Sequence, residues 1–361
     1  MKKHINVMLV DDSSTMRRLI KTALKSEPKL KFVYEAKDGQ DAVKNVAVAC
    51  PDIVVMDVEM PVMDGIVATR EIRRHHPSLP IVMFSSLTSR GAEATLDALA
   101  AGANDFAVKP AAAGHITNAI EQLKENLLPK ILELVTPTLP IRRTVVAPRT
   151  PPQITNDTTS ASKNRIDSIA IGVSTGGPDA LAKLLMDIPK NLPVPILITQ
   201  HMPPVFTSLL ATRLTSRTGH SVKEAVDGEI VGKGNILLSP GDYHLTVKRS
   251  GVSVHAKLDQ EPKENSCRPA VDPLFRSMAT CYGKNAMGIV LTGMGQDGAQ
   301  GSGAIKSQGG SIIVQDKDSS VIWGMPGKVV SAGHADQILP LNQIAQELVR
   351  RVFQSLSQPA T

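Results

Sequence analysis

Aromatic side chains make up only 3% of the 361 residues. That scarcity removes the stacking platforms on which single-stranded nucleic acid is usually bound. Cysteine is sparse too: Cys50, Cys267 and Cys281 are odd in number and lack metal-ligand spacing. Reduced thiols in a cytoplasmic setting are the expectation. No apolar stretch approaches the roughly 18 residues of a spanning helix, and the N-terminal apolar run stops at Asp11, too soon for a secretory signal. Direct insertion into a membrane is therefore not expected.

A basic excess is present but weakly placed. The net charge is +6, yet residues 1–124 contribute +1, residues 125–165 contribute +3 and residues 166–361 contribute +2. Half of the excess falls in one short segment, so neither flanking region carries the basic face that a nucleic-acid partner requires. With 42% hydrophobic and 20% charged residues, the chain has globular composition, and its length points to two domains.

The first 120 residues alternate apolar runs (Ile5–Val10, Lys31–Glu35, Ile53–Met56, Ile81–Phe84, Asp105–Val108) with amphipathic segments (Thr15–Leu24, Gln40–Ala49, Ile66–Arg74, Ala92–Ala101). Five strands with intervening helices predict a parallel sheet covered on both faces. A helix ending near Leu127 leads to Pro129 and then to a Pro- and Thr-rich tract, Thr136 to Lys163, predicted to be an extended linker. Alternation resumes at Ile166. Ile166–Ile171, Pro195–Thr199 and Met287–Leu291 read as buried strands, and Ala180–Met186, Ser208–Ser216, Leu274–Tyr282 and Leu341–Phe353 as helices. Short β segments between Ile236 and His255 predict some antiparallel pairing. The expected boundaries are 4–124, a linker over 125–164, and 165–355.

Asp11 and Asp12 end the first predicted strand and Asp57 the third, so an open α/β sheet brings them together at one edge. Three crowded carboxylates call for a hard cation such as Mg²⁺. Ser85 and Lys109 end the fourth and fifth strands and complete a ring suited to phosphoryl transfer. Asp11 or Asp12 taken alone reads equally well as a helix cap.

Val10-Asp11-Asp12-Ser13, Met56-Asp57, Met60-Pro61-Val62-Met63-Asp64-Gly65, Ser85-Ser86, Ala101-Gly102-Ala103 and Lys109-Pro110 together resemble the receiver domain of two-component response regulators. The resemblance implies a flavodoxin-like sheet of order 2-1-3-4-5 and Asp57 phosphorylated from a histidine kinase. It also implies Mg²⁺ on Asp11, Asp12 and Asp57, and Ser85 and Lys109 sensing the phosphoryl group. A cis peptide at Lys109–Pro110 and an aromatic switch at Phe106 complete the set.

In the second half, Gly172-Val173-Ser174-Thr175-Gly176-Gly177 follows an apolar run. A serine on a glycine turn between strand and helix is how acyl-transfer enzymes present a nucleophile. Ser174 as a mere helix cap, or the turn as a dinucleotide loop, are rival readings. The second lacks the acidic residue about 20 positions on that ribose binding requires. His201, in Gln200-His201-Met202-Pro203-Pro204, and Asp297, in Thr292-Gly293-Met294-Gly295-Gln296-Asp297-Gly298, each follow a strand and are candidates for base and orienting acid. The order Ser, His, Asp differs from that of α/β-hydrolases, chymotrypsin and subtilisin, and triads are defined by geometry rather than by order.

These segments, with Val271-Asp272-Pro273-Leu274-Phe275 and Trp323-Gly324-Met325-Pro326, resemble the catalytic domain of chemotaxis protein-glutamate methylesterases of the CheB type over residues 166–355. Val205 departs from the glycine usual there. The resemblance implies a doubly wound α/β domain with some antiparallel strands. Its triad would be Ser174, His201 and Asp297, with oxyanion donors around Thr175, Gly176 and Met294 and no cofactor for ester hydrolysis. Implied substrates are glutamyl methyl esters, and certain glutamines, on the cytoplasmic helices of methyl-accepting chemotaxis receptors. A monomer is expected. A non-catalytic phospho-scaffold is the alternative, distinguishable by whether the three residues converge.

Overall fold

The computed structural model describes residues 4–110, 116–135 and 165–356. The Pro- and Thr-rich tract lies outside them. The first domain runs β1 (Ile5–Val10), α1 (Ser14–Leu24), β2 (Leu30–Ala36), α2 (Gly39–Ala49), β3 (Ile53–Asp57), α3 (Gly65–His75), β4 (Ile81–Ser85), α4 (Ser89–Ala100), β5 (Asp105–Val108), α5 (Ile116–Asn126) and α6 (Leu128–Val135). Its sheet is parallel, in the order β2-β1-β3-β4-β5. Helices cover both faces, which is why β3 and β4 are apolar up to Asp57 and Ser85 at their carboxyl ends, with every residue buried.

Three local expectations change. Helix α4 begins at Ser89 rather than Ala92, because the Thr88 side chain accepts from Gly91 N at 3.0 Å and caps a turn earlier. Pro129 does not end helical structure: it sits in the first turn of α6, where a missing N–H costs nothing. Leu127 and Ile131 are buried there in the core of the first domain, so residues through Val135 are helical rather than linker. The peptide bond to Pro110 is not cis; among the described residues only Arg268–Pro269 is, and nothing in the structure explains the difference.

The second domain runs β6 (Ser168–Val173), α7 (Gly177–Met186), β7 (Ile196–Gln200), α8 (Phe206–Thr218), β8 (Val222–Glu224), β9 (Ile236–Leu238), β10 (His244–Ser250), β11 (Ser253–Asp259), α9 (Val271–Tyr282), β12 (Ala286–Val290), α10 (Ala299–Ser307), β13 (Ser311–Gln315), α11 (Gly324–Ser331), β14 (Gln337–Leu339) and α12 (Leu341–Leu356). Seven strands form a parallel sheet, β14-β13-β12-β6-β7-β9-β8. Among the described residues the antiparallel strand pair is the separate hairpin β10–β11, with isolated antiparallel bridges at Ile230–His255 and Glu264–Cys267. From β6 the chain first builds outward through β7, then returns to add β12 on the other side. The carboxyl end of β6 is thus a topological switch point, where a crevice opens.

The two domains share one apolar cluster. Leu96, Leu99 and Ala100 of α4 face Pro178 and Ala182 of α7 and Leu210 of α8. Asp97 Oδ1 pairs with Arg213 Nη2 at 2.7 Å beside them. The Phe106 and Phe206 rings stack across the boundary, centroids 4.5 Å apart and 8° from parallel. This contact brings β5 of the first domain against the carboxyl ends of β6 and β7.

Candidate active site

Strand register explains how three residues distant in sequence meet. Strand β6 pairs with β7 so that Val173 faces Gln200, which sets Ser174 and His201 side by side one residue further on. The backbones stay locked there, with His201 N donating to Val173 O at 3.2 Å. On the opposite side β6 pairs with β12, and Ser174 N donates to Thr292 O at 3.0 Å. The loop carrying Asp297 leaves from that point. Gly293 is required at this approach, since a Cβ on it would lie 2.9 Å from Ser174 Cβ and 2.5 Å from Met325 Sδ.

Ser174 does not cap α7: the cap position is Gly176, at φ +77°, with no side-chain cap bond. The serine is half-buried and, among the described residues, its hydroxyl bonds to no protein group. Strand register therefore aligns Ser174 with His201 without a hydrogen bond between them, and such bonds commonly tighten only with substrate in place. The amides of Thr175, Gly176 and Met294 likewise donate to no protein acceptor among the described residues. Donors of this kind around a nucleophile can stabilise an oxyanion.

His201 is 11% exposed, and its Nε2 lies 2.7 Å from Asp297 Oδ2. A carboxylate only accepts, so Nε2 carries a hydrogen in either protonation state and Nδ1 is the nitrogen that can exchange a proton. Burial pushes the imidazole down, but the Cys267 sulfur and the Asp297 carboxylate outweigh it and hold His201 above the ordinary imidazole range. The sequence marks Cys267 only as a free thiol. It lines, with His201, Arg268, Lys130, Phe106 and Val108, a cleft of about 400 Å³ between the domains.

Asp297 is 1% exposed. It is not the cap of α10, whose cap position is Gly298 without a side-chain bond. Instead it sits at the amino end of α9, accepting from Val271 N at 2.6 Å and Asp272 N at 3.0 Å, and also from Gly298 N at 2.9 Å. Burial raises the carboxyl, yet His201 and these amides, aided by the positive end of the helix, hold it below the usual range. The Val271-Asp272 segment therefore has a physical task that its side chains alone did not disclose. Val205, which follows the His201 loop, is held at φ +73°, a strained conformation for a β-branched residue and one a glycine would accept freely.

In the first domain, one carboxylate oxygen each of Asp11, Asp12 and Asp57 lies within 4.8 Å of the others. Opposite ligands of octahedral Mg²⁺ are about 4.2 Å apart, and all three donors are hard oxygens, so the set fits that ion. None of the three is a helix cap; Ser13 caps α1. Lys109 Nζ lies 2.6 Å from Asp57 Oδ2 and 3.2 Å from Asp11 Oδ2. Burial raises Asp57 to about 6 against the lowering effect of Lys109, and Asp11 adds to the rise. Ser85 is buried, its hydroxyl donating to Gly91 O in α4 at 3.0 Å.

The two domains also meet at the serine turn. Thr175 Oγ1 donates to Asp105 Oδ2 at 2.5 Å, and Lys130 Nζ reaches the same oxygen at 2.6 Å. Nothing in the sequence signals this bond: Thr175 is marked only through its backbone in the serine turn, and Asp105 only as the start of a strand, 70 residues away.

Residues 7–121 match the response regulator receiver domain family and residues 169–348 match the CheB methylesterase family. The protein-glutamate methylesterase/protein-glutamine glutaminase of Trichodesmium erythraeum is 46% identical over 346 residues, covering 96% of this chain and 98% of that one. Its namesake from Thermotoga maritima is 40% identical over 351 residues, covering 96% and 98%. The crystal structure of the Thermotoga maritima CheB methylesterase catalytic domain superposes with a TM-score of 0.50 at 43% identity, covering 51% of this chain and 98% of that one. With a receiver in front of a methylesterase domain, this chain belongs to the CheB family of protein-glutamate methylesterases/protein-glutamine glutaminases.

Proposed function

We propose that the chain hydrolyses γ-glutamyl methyl esters on the cytoplasmic helices of chemoreceptors, and that phosphorylation of Asp57 switches this activity on. The observation that carries the reading is the convergence of Ser174, His201 and Asp297 at the ends of three adjacent strands, beneath β5 of the receiver. A phospho-scaffold has no need of that convergence.

Ser174 Oγ attacks the ester carbonyl while His201 Nδ1 takes its proton. Asp297 keeps the imidazole oriented and balances its charge. The amides of Thr175, Gly176 and Met294 receive the oxyanion. As the intermediate collapses, His201 returns the proton to the leaving methoxide and methanol departs. Water, deprotonated by the same nitrogen, then cleaves the acyl-serine to give glutamate and free Ser174. A glutamine side chain follows the same path with ammonia leaving.

In the receiver, Asp11, Asp12 and Asp57 would hold Mg²⁺, which neutralises charge on a transferring phosphoryl group. Asp57 accepts the group from a histidine kinase or small phosphodonor, and Lys109 and Ser85 contact it. Drawing Ser85 toward a phosphoryl group removes its bond to Gly91 and disturbs α4, the helix packed on α7 and α8. The Phe106–Phe206 stack and the Asp105–Thr175 bond restrict the cleft until then. Phosphorylation shifts the population toward an open form.

Two measurements bear on this. Methanol release by the full chain should follow the ester content of methylated receptor membranes and vanish on unmethylated ones; no release from either rejects the substrate. Asp105→Ala frees Thr175 and should raise the unstimulated rate several-fold, whereas an unchanged or lower rate would remove the latch.

A further inference from the structure

Behind the Asp297 carboxylate lies an assembly that no step of the reaction above uses. Asn265 Nδ2 is 3.1 Å from Asp297 Oδ1 and 3.0 Å from Asp272 Oδ2. Its two amide hydrogens therefore serve two carboxylates at once, each belonging to a residue only 1% exposed. Asp272 is fixed in turn by Gly301 N, which donates to its Oδ1 at 2.7 Å. Asn265 stands at φ +50° and Ser266 at φ +63°, two successive residues in the left-handed region. Asparagine tolerates that region better than most side chains. Glu264 and Cys267 close the turn by exchanging backbone bonds of 3.1 and 2.9 Å, and Arg276 of α9 anchors Glu264 at 2.9 Å. A strained turn is thus held so that one amide reaches between two buried acids.

The need for it is electrostatic. Two carboxylates this close repel, and the repulsion acts against Asp297 remaining ionised and still. His201 and Val271 N occupy Oδ2, so among the described residues Asn265 is the sole side-chain donor to Oδ1. We propose that Asn265, anchored by Asp272, is a positioning residue that holds the Asp297 carboxylate in the rotamer facing His201. The inference rests on the triad reading and deepens it.

The test uses methanol release by the full chain, with kcat and KM measured separately. Asn265→Gly removes the amide and keeps the backbone conformation; Asn265→Asp keeps the shape and replaces a donor by an acceptor. Losing a hydrogen bond to a charged group should lower kcat about 10-fold in the first, and about 100-fold in the second, with KM within about twofold. Phosphodonor labelling of Asp57 and circular dichroism check folding in both. Residues acting through one another are not additive. Asn265→Gly should therefore cost less than about twofold when added to Asp297→Asn. An unchanged kcat in both Asn265 variants overturns the proposal. So does a 10-fold loss that persists undiminished beside Asp297→Asn. If Asp297→Asn is itself fully active, the triad reading fails as well. If Asp297→Asn is inactive and Asn265→Gly normal, this inference alone fails.

Discussion

Ser174→Ala is expected to lower methanol release by at least about 10,000-fold while Asp57 still takes phosphate from a small donor. The adjacent hydroxyl cannot stand in for the lost nucleophile. The nearest hydroxyl in sequence, Thr175, is buried and committed to Asp105. His201 and the turn amides remain, so some catalysis above that of water should persist, as in other hydrolases stripped of their serine. The substitution should barely alter stability, within about 0.5 kcal/mol. Among the described residues the Ser174 hydroxyl makes no protein bond, and the backbone bond from Ser174 N to Thr292 O is retained. A thermal melt alongside the rate measurement would separate loss of chemistry from loss of fold. Normal methanol release would remove Ser174 as the nucleophile.

Asp297→Asn is expected to cost about 1,000- to 10,000-fold in kcat and, unlike the serine change, also to destabilise the chain. Five donors converge on the two carboxylate oxygens: His201 Nε2, Asn265 Nδ2 and the amides of Val271, Asp272 and Gly298. An amide has one oxygen, so its NH₂ must meet at least two of those donors head-on. Turned toward His201, it donates to Nε2 and forces the hydrogen onto Nδ1, the nitrogen needed as base. Turned the other way, it confronts Asp272 N and Gly298 N in a buried site. Each unpaired buried donor costs about 1–3 kcal/mol. Paired kinetic and melting measurements check both parts; a variant with normal kcat would show that His201 needs no orienting acid.

The parallel sheet of the receiver was legible because its central strands β1, β3 and β4 are largely apolar runs bounded by turn residues, as strands buried on both faces must be, while its order came from the resemblance to receiver domains. The carboxyl-end positions of Asp57, Ser174 and His201 followed from where those runs stop. What could not be read was whatever depends on backbone groups or on contact between domains. Val271 and Asp272 hold Asp297 through their amides, which no side-chain pattern announces. Asn265 lies 32 residues from Asp297 in a turn without regular periodicity. Asp105 and Thr175 are 70 residues apart and belong to separate domains. Short edge strands such as β8 and β14, three residues each, offer too little length for a period to show. Pro129 misled because proline stops a helix from within but starts one from its first turn.

A single assay reaches the centre of this account, the coupling of Asp57 to the Ser174 cleft. Methanol release from methylated receptor membranes is followed for the full chain and for Asp57→Asn, each with and without acetyl phosphate and Mg²⁺. The phosphodonor should raise the rate several-fold in the unaltered chain and leave Asp57→Asn at its basal rate. Equal stimulation of both, or none in either, would contradict the account.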